Sequence, residues 1–418
     1  MSTSTTPKLP SSFNRLAWSN LAAQSAEQIA LAAAPIVAVL LLGVGEGETG
    51  ALQTALTLPF MLFAIPAGLL ADRMSRRWLM TAAEALRAGA LFVILALITL
   101  KLLTMPLLAL LGFVSVCGTV VYSVAAPALV PALVGSDALA AANARIELAR
   151  TVAFAAGPAL GGVLVGWIGA AAAFGFAAML SVIAVIALSG LAEPARKPVA
   201  RRHPLQEIKE GAVFVFSHAL LRPVFVTQFI FNTSSFLILA VFVPYAVRHL
   251  NLSASGVGTT LAMYGVGMIV GALLATRILR RLPFGVVVGL GPISGFIAAA
   301  ILALTIHAPF PALARLGFFF LGVGPILWVI STTTLRQAVT PARLLGRVSA
   351  INIMSYGARP LGAAIGAIVG ATYGAEACLY LAVAGFGAQA LVILLSPAVG
   401  LARQPEMFDE SEIACQKS

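Results

Sequence analysis

Charged side chains are scarce in this sequence. They make up 10% of its 418 residues against 60% hydrophobic, and mean hydropathy is +1.00. A soluble domain is about 25% charged, so the chain lacks the residues needed to cover a water-facing surface. Cysteine is nearly absent as well: Cys117, Cys378 and Cys415 lie far apart, with no CxxC and no Cys/His spacing. That excludes a disulfide framework and a zinc site, and no metal is expected. The histidines His203, His218, His249 and His307 fall near the ends of apolar runs or in a polar stretch, away from any relay pattern. Walker phosphate loops, HExxH and GxSxG are all missing, so ATP-driven transport, membrane hydrolysis and cofactor-dependent catalysis have no support. The polar opening, MSTSTTPKLPSSFNR, has no short apolar core with a small-residue cleavage site, and no cleaved signal peptide is expected.

What the chain has instead is apolar runs of about 20 residues, the length that crosses a bilayer core. They predict twelve spans: 16–42, 49–71, 78–99, 106–134, 145–168, 171–191, 220–247, 255–279, 284–306, 310–335, 346–370 and 375–397. The fold class expected is an all-α membrane protein of two six-helix bundles. The N-terminal bundle covers 1–191, a cytoplasmic linker 192–219, the C-terminal bundle 220–397 and a cytoplasmic tail 398–418. Within the linker, Leu205, Ile208, Ala212 and Val215 recur at helical spacing, predicting an amphipathic helix on the membrane surface.

The net charge of +11 is scattered over short loops rather than clustered on one face, which excludes nucleic-acid binding. Its distribution alternates. Lys8 and Arg15, then Arg73, Arg76 and Arg77, then Arg145 and Arg150 fall on one side, followed by the linker, Arg277, Arg280 and Arg281, and Arg336, Arg343 and Arg347. Lys101, Arg248 and Arg315 fall on the other. Basic residues are retained on the cytoplasmic side, so both termini are expected inside and the number of spans even.

The two halves are related. AGLLADRMSRR from Ala67 aligns with GALLATRILRR from Gly271 at an offset of 204, and both close an even-numbered span. GPALGG from Gly157 aligns with RPLGAA from Arg359 at an offset of 202. Polar residues repeat too: Asn20, Gln24 and Glu27 in span one, and Gln228, Asn232 and Ser235 in span seven, each occupy one helical face. Such repeats mark transporters with a site between two bundles. The stripes suit either a polar substrate cavity or hydrogen bonds between helices.

Six ionisable groups lie inside spans: Glu27, Glu84, Arg87, Glu147, Arg150 and Arg359. Each costs about 2.5–3.5 kcal/mol at the bilayer centre on insertion scales. Glu84–Arg87 and Glu147–Arg150 are i, i+3 pairs that can neutralise each other, as structural pairs or as gating elements. Glu27 has no such neighbour on its own helix. Burial in general disfavours the charged form of a carboxyl, which suits a group that takes up and releases a coupling proton. The alternative is a neutral carboxyl hydrogen-bonded within the bundle. Arg359 shares a face with Asn352, Ser355 and Tyr356, and could meet an anionic or catecholate-like substrate or pair with a carboxylate elsewhere.

The run Gly68-Leu69-Leu70-Ala71-Asp72-Arg73-Met74-Ser75-Arg76-Arg77 resembles the loop signature of the major facilitator superfamily, with Ser75 where glycine is usual. The resemblance extends over the whole chain through the spans, the linker and the degenerate second copy, in which Thr276 replaces the aspartate. It implies that Gly68, Asp72, Arg73, Arg76 and Arg77 form a gating loop that stabilises cytoplasmic closure, with Gly68 allowing close helix approach. Gly157, Pro158, Gly161 and Gly162 resemble the antiporter signature of drug exporters, with Ala153 where a further glycine stands in the full pattern. HPLQEIKEGAVFVFSHALLRP and TPARLLGRVSAIN look like the enterobactin-exporter-like branch, associated with siderophore and macrolide export.

The leading expectation is therefore a proton-coupled exporter of a small organic molecule in the plasma (bacterial inner) membrane, working as a monomer by alternating access. Its partners would be the substrate, protons and the bilayer. An importer of a polar nutrient and a non-transporting sensor remain as alternatives.

Overall fold

The computed structural model describes residues 10–134, 138–193, 204–341 and 344–404. The side chains of Asp72, Leu205 and Thr276, and residues Lys8, His203, Arg343 and Cys415, lie outside that description. The described chain is helical: α1 Ser11–Leu42, α2 Glu46–Arg73, α3 Arg76–Thr99, α4 Met105–Leu133, α5 Leu139–Val163, α6 Ala170–Ser189, α7 Pro204–Ser217, α8 Leu221–Arg248, α9 Ala254–Arg281, α10 Phe284–Leu304, α11 Pro311–Val339, α12 Leu345–Met354 and α13 Ala358–Leu394. Local chemistry sets several ends. Ser75 and Ser253 accept backbone N–H bonds at the starts of α3 and α9. Gly43 ends α1 at φ 69, a left-handed conformation suited to glycine.

Among the described residues, eleven continuous helices are long and apolar enough to cross a bilayer. The last of them is two spans. At Gly374 the backbone leaves the helix with φ 81, and Cys378 Sγ lies 3.7 Å from the Gly366 carbonyl oxygen. Twelve residues of unbroken helix would hold those groups about 18 Å apart, so the chain doubles back at Gly374 and crosses twice. Twelve crossings result, as the apolar runs predict. Two features go beyond that reading. The eleventh crossing is interrupted by a 3₁₀ turn at Ser355–Gly357, and α5 ends in a π-helical turn, Leu164–Ile168.

Within the first half, α1 packs on α5 and α6, α3 on α4 and α6, and α2 on α4; in the second, α8 packs on α13 and α11 on α9 and α10. The halves meet along two seams, α2 against α13 and α5 against α9. Since the sequence repeat maps α2 onto α9 and α5 onto the first part of α13, the seams are one contact made twice about a pseudo-twofold axis. Large apolar side chains such as Trp167, Ile186 and Leu273 stay exposed on the outside, where a bilayer would cover them.

The amphipathic helix α7 forms and packs on α12. Ala212 and Val215 face Val348 and Ile351 of α12, and Glu210 is ion-paired with Arg347. Part of its apolar surface therefore covers protein, because α12 offers a matching stripe that the sequence pattern alone did not connect to it, while Val213 and Phe216 stay exposed.

Candidate functional site

Small residues decide how the seams close. A Cβ on Gly47 would sit 2.7 Å from the Ala371 Cβ, and one on Gly50 would sit 2.5 Å from the Ala367 Cα. Across the second seam, a Cβ on Gly162 would sit 2.6 Å from the Gly258 Cα. These contacts lie at the end of the molecule carrying Gly43–Gly45, where Arg248 also donates to the Val44 carbonyl at 3.0 Å and pairs with Glu46 at 3.4 Å. Helix backbones touch there, and that end is sealed.

The opposite ends of the same helices stand apart. Met61, Leu62, Phe63, Ile65 and Leu70 of α2 are exposed, as are Asn143, Arg145 and Leu148 of α5. A Cβ on Gly68 would meet nothing within 4 Å. The close approach expected at Gly68 is thus absent here, because α2 diverges from its partner toward this end.

Below the seal lies a cavity of about 250 Å³ between the halves. Its polar wall comprises Glu27 and Gln28 of α1, Gln53 and Thr57 of α2, Asn232 and Ser235 of α8, Tyr264 of α9 and Arg359 of α13. The remainder is mostly aromatic and aliphatic, including Phe60, Phe154, Phe236 and Phe318. Among the described residues the Glu27 carboxylate has no hydrogen bond or ion pair with protein. Arg359 has no carboxylate partner either. Its Nε donates to Asn232 Oδ1 at 3.1 Å, and its guanidinium carbon lies 4.1 Å from the Tyr356 ring centroid, 5.3 Å from Phe236 and 5.7 Å from Phe60. Aromatic faces attract such a cation while leaving its terminal N–H groups open to the cavity.

A two-sided cavity between repeated six-helix units, sealed at one end, is the architecture of a transporter, and comparison with known proteins agrees. Residues 22–412 match the family described as a transmembrane secretion effector. The chain belongs to that family, within the enterobactin-exporter-like branch of the major facilitator superfamily. A Sinorhizobium fredii protein described as an uncharacterized MFS-type transporter is 30% identical over 58% of this chain and 60% of its own length. The enterobactin exporter of Citrobacter koseri is 29% identical over 68% of this chain and 67% of its own length. Among solved structures, a nucleoside transporter superposes with TM-score 0.74 at 13% identity, covering 92% of this chain and 99% of that one. A bacterial homologue of the iron transporter ferroportin, in an inward-facing state, superposes with TM-score 0.71 at 15% identity over 93% and 99%. These relatives are transporters, not enzymes, and the chain is an integral membrane transporter of this superfamily.

In this transporter the predicted residues divide. Glu27, Asn232, Ser235 and Arg359 face the central cavity. Gln228 and Tyr356 line a neighbouring cavity walled mostly by the C-terminal half. Asn20 and Gln24 line neither. Asn20 is buried and donates to the Ile146 carbonyl of α5 at 3.3 Å, so the part of the α1 stripe farther from the seal bonds helix to helix. The stripe faces the cavity only from Glu27 on, nearer the seal. Gln28, Gln53 and Thr57 were not singled out by the sequence pattern. Gln53 and Thr57 at i, i+4 in an otherwise apolar span were the available signal.

Both i, i+3 pairs form. Arg87 Nη1 lies 2.9 Å from Glu84 Oε1, fully buried, and also donates to the Ala23 carbonyl, while Nη2 donates to Thr119 Oγ1 at 2.6 Å. The pair ties α3 to α1 and α4. Arg150 and Glu147 pair at a half-exposed position, with Arg150 over the Phe154 ring at 5.4 Å. Gly157 and Gly161 serve α1: a Cβ on Gly157 would sit 2.4 Å from the Gln28 Cβ, and one on Gly161 would sit 2.9 Å from the Ile29 carbonyl. Pro158 lines the central cavity, and a Cβ on Gly258 would sit 2.6 Å from its carbonyl oxygen.

The loop signature has a partner that sequence reasoning missed. Glu193, just after α6, accepts from Ser75 Oγ at 2.5 Å and from the backbone N–H groups of Arg76 and Arg77 at 3.1 Å each. Arg77 Nη1 donates to the Leu191 carbonyl at 2.9 Å. Partial burial opposes ionisation of this carboxyl, yet the Ser75 hydroxyl and the two N–H groups, aided by the Arg76 charge, hold it below the usual carboxylate range. Ser75, the departure from the family pattern, thus serves both as helix cap and as donor.

Proposed function

We propose that this transporter is a proton-coupled exporter of a small organic molecule, in a state sealed toward the outside and parted toward the cytoplasm. One observation carries the reading: Glu27 reaches the cavity between the halves with no protein partner for its carboxylate. A lone intramembrane carboxyl is costly unless it is used, and protonation is the least expensive way to neutralise it. Arg359 on the facing wall gives a charge that an ionised Glu27 and a substrate anion would share in turn. Export direction draws support from the enterobactin exporters among the relatives.

Both termini and the 192–219 linker are placed in the cytoplasm on this reading, with bundles 1–191 and 220–397 rocking about the seams and a tail from 398. The transporter acts as a monomer. The gating loop, with Gly68, Asp72, Arg73, Arg76 and Arg77, closes the cytoplasmic end in the opposite state, and the free space at Gly68 is where α2 would meet its partner. Gly157, Pro158, Gly161 and Gly162 shape the α5 contacts that must slide.

A growth screen of deletion and overexpressing strains against toxic hydrophobic compounds and iron limitation identifies a substrate. Everted vesicles with an acidified lumen then accumulate it, and Glu27→Gln abolishes the pH-driven component. Unchanged coupled flux in Glu27→Gln removes the proton role, and accumulation only by intact cells favours import.

A further inference from the structure

A second cavity of about 250 Å³ opens beside the central one, walled mostly by the C-terminal half and closed on one side by Arg150 and Phe154 of α5. The two share Phe154, Phe231, Asn232, Tyr264 and Arg359 as a common wall. Their chemistry differs. The central cavity is mostly hydrocarbon and aromatic. Residues lining the second carry two buried polar atoms with no protein partner among the described residues, Thr227 Oγ1 of α8 and Gln389 Oε1 of α13, where the central wall carries one, Ser235 Oγ. Thr227 and Gln389 are each about 1% exposed. Buried polar groups are ordinarily satisfied, and an orphan beside a cavity costs about 1–3 kcal/mol unless something enters to bond it.

Charge points the same way. Arg359 lines the second cavity without a carboxylate partner, while Arg150, which lines it too, is ion-paired with Glu147. Arg359 stands at the junction, with its Nε held by Asn232 and its ring cage fixing the guanidinium plane. Its terminal N–H groups form a fork suited to a carboxylate or similar planar anion.

We infer that the two cavities form one bipartite site for an amphipathic organic anion. Its flat apolar portion lies among the phenyl rings of the central cavity, its acid group meets Arg359, and its hydroxyl or amide groups reach Thr227 and Gln389. The inference rests on the transporter reading and adds the substrate class. A purely hydrophobic compound would leave the orphaned atoms of the second cavity unbonded. A cation would meet the unpaired Arg359 there. Both are disfavoured for that reason.

The test uses two dyes on one xanthene scaffold, fluorescein as the anion and rhodamine 123 as the cation, bound to the full-length protein in lipid nanodiscs and read by fluorescence anisotropy. Wild type binds fluorescein at least tenfold tighter than rhodamine 123. Arg359→Gln erases that preference. Gln389→Leu and Thr227→Phe, on separate helices, each weaken fluorescein binding by threefold or more and leave rhodamine 123 unchanged. Having both variants guards against one failing to fold. Equal binding of the dyes by wild type, a preference that survives Arg359→Gln, or fluorescein affinity unchanged in both second-cavity variants overturns the inference. A compound that everted vesicles accumulate but that ignores Arg359→Gln would leave export standing and remove only this substrate class.

Discussion

Replacing Gly162 with valine tests whether the glycine seam holds the sealed state. The added Cβ would sit 2.6 Å from both the Gly258 Cα and the Ala254 carbonyl oxygen. Both are backbone atoms with no rotamer to escape into, so α5 and α9 must separate at that end. Overpacking of this kind costs about 1–3 kcal/mol, roughly a five- to 150-fold shift in a two-state equilibrium. Because the cost falls on the sealed state alone, it moves population toward the state open on that side. Gln53, buried on the cavity wall, provides the reporter. In a background without the native cysteines, Gln53→Cys should react with a membrane-impermeant maleimide added outside intact cells only when the seal opens. Its labelling rate should rise by that factor in the Gly162→Val variant. A folded variant whose rate stays at the Gly162 level would refute the seam as a gate.

Three further outcomes follow from the same structure. Glu193→Gln should lower thermal stability by about 1 kcal/mol near neutral pH, a charged cap discounted for its half-exposed position. Because the folded carboxyl titrates below its unfolded value of about 4.3, its contribution is present above that value and lost as pH falls through the folded one. Thermal unfolding of wild type should therefore carry an acid-side slope that Glu193→Gln lacks, and parallel curves would count against the clamp. Arg87→Leu strands the buried Glu84 carboxylate and should cost about 3–5 kcal/mol, while adding Glu84→Gln recovers much of it; a double variant no more stable than the single one would contradict the pairing. Arg248→Ala removes a half-exposed ion pair and one carbonyl bond at the sealed end. It should speed the Gln53→Cys labelling by less than the glycine substitution does, since exposed pairs contribute about 0–1 kcal/mol, and an effect larger than that of Gly162→Val would move the seal from the helices to the loop.

Much of this protein was legible in one dimension. A bilayer imposes a fixed length and a uniform polarity on each crossing, so twelve spans, their pairing into two repeats and the alternation of arginines could be read directly. Local pairs were legible as well, because Glu84–Arg87 and Glu147–Arg150 are set by helical spacing alone. Tertiary structure decided whatever depends on which face of one helix meets which face of another. Asn20 and Glu27 share a stripe, yet one bonds α5 and the other reaches the cavity, since the neighbours facing that stripe change along its length. Glu193 lies more than a hundred residues from the Ser75 it clasps, and Thr227 and Gln389 become a site only once α8 and α13 are brought together. Helical periodicity fixes the direction in which a side chain leaves its own axis, but carries no information on how far away the neighbouring axis stands.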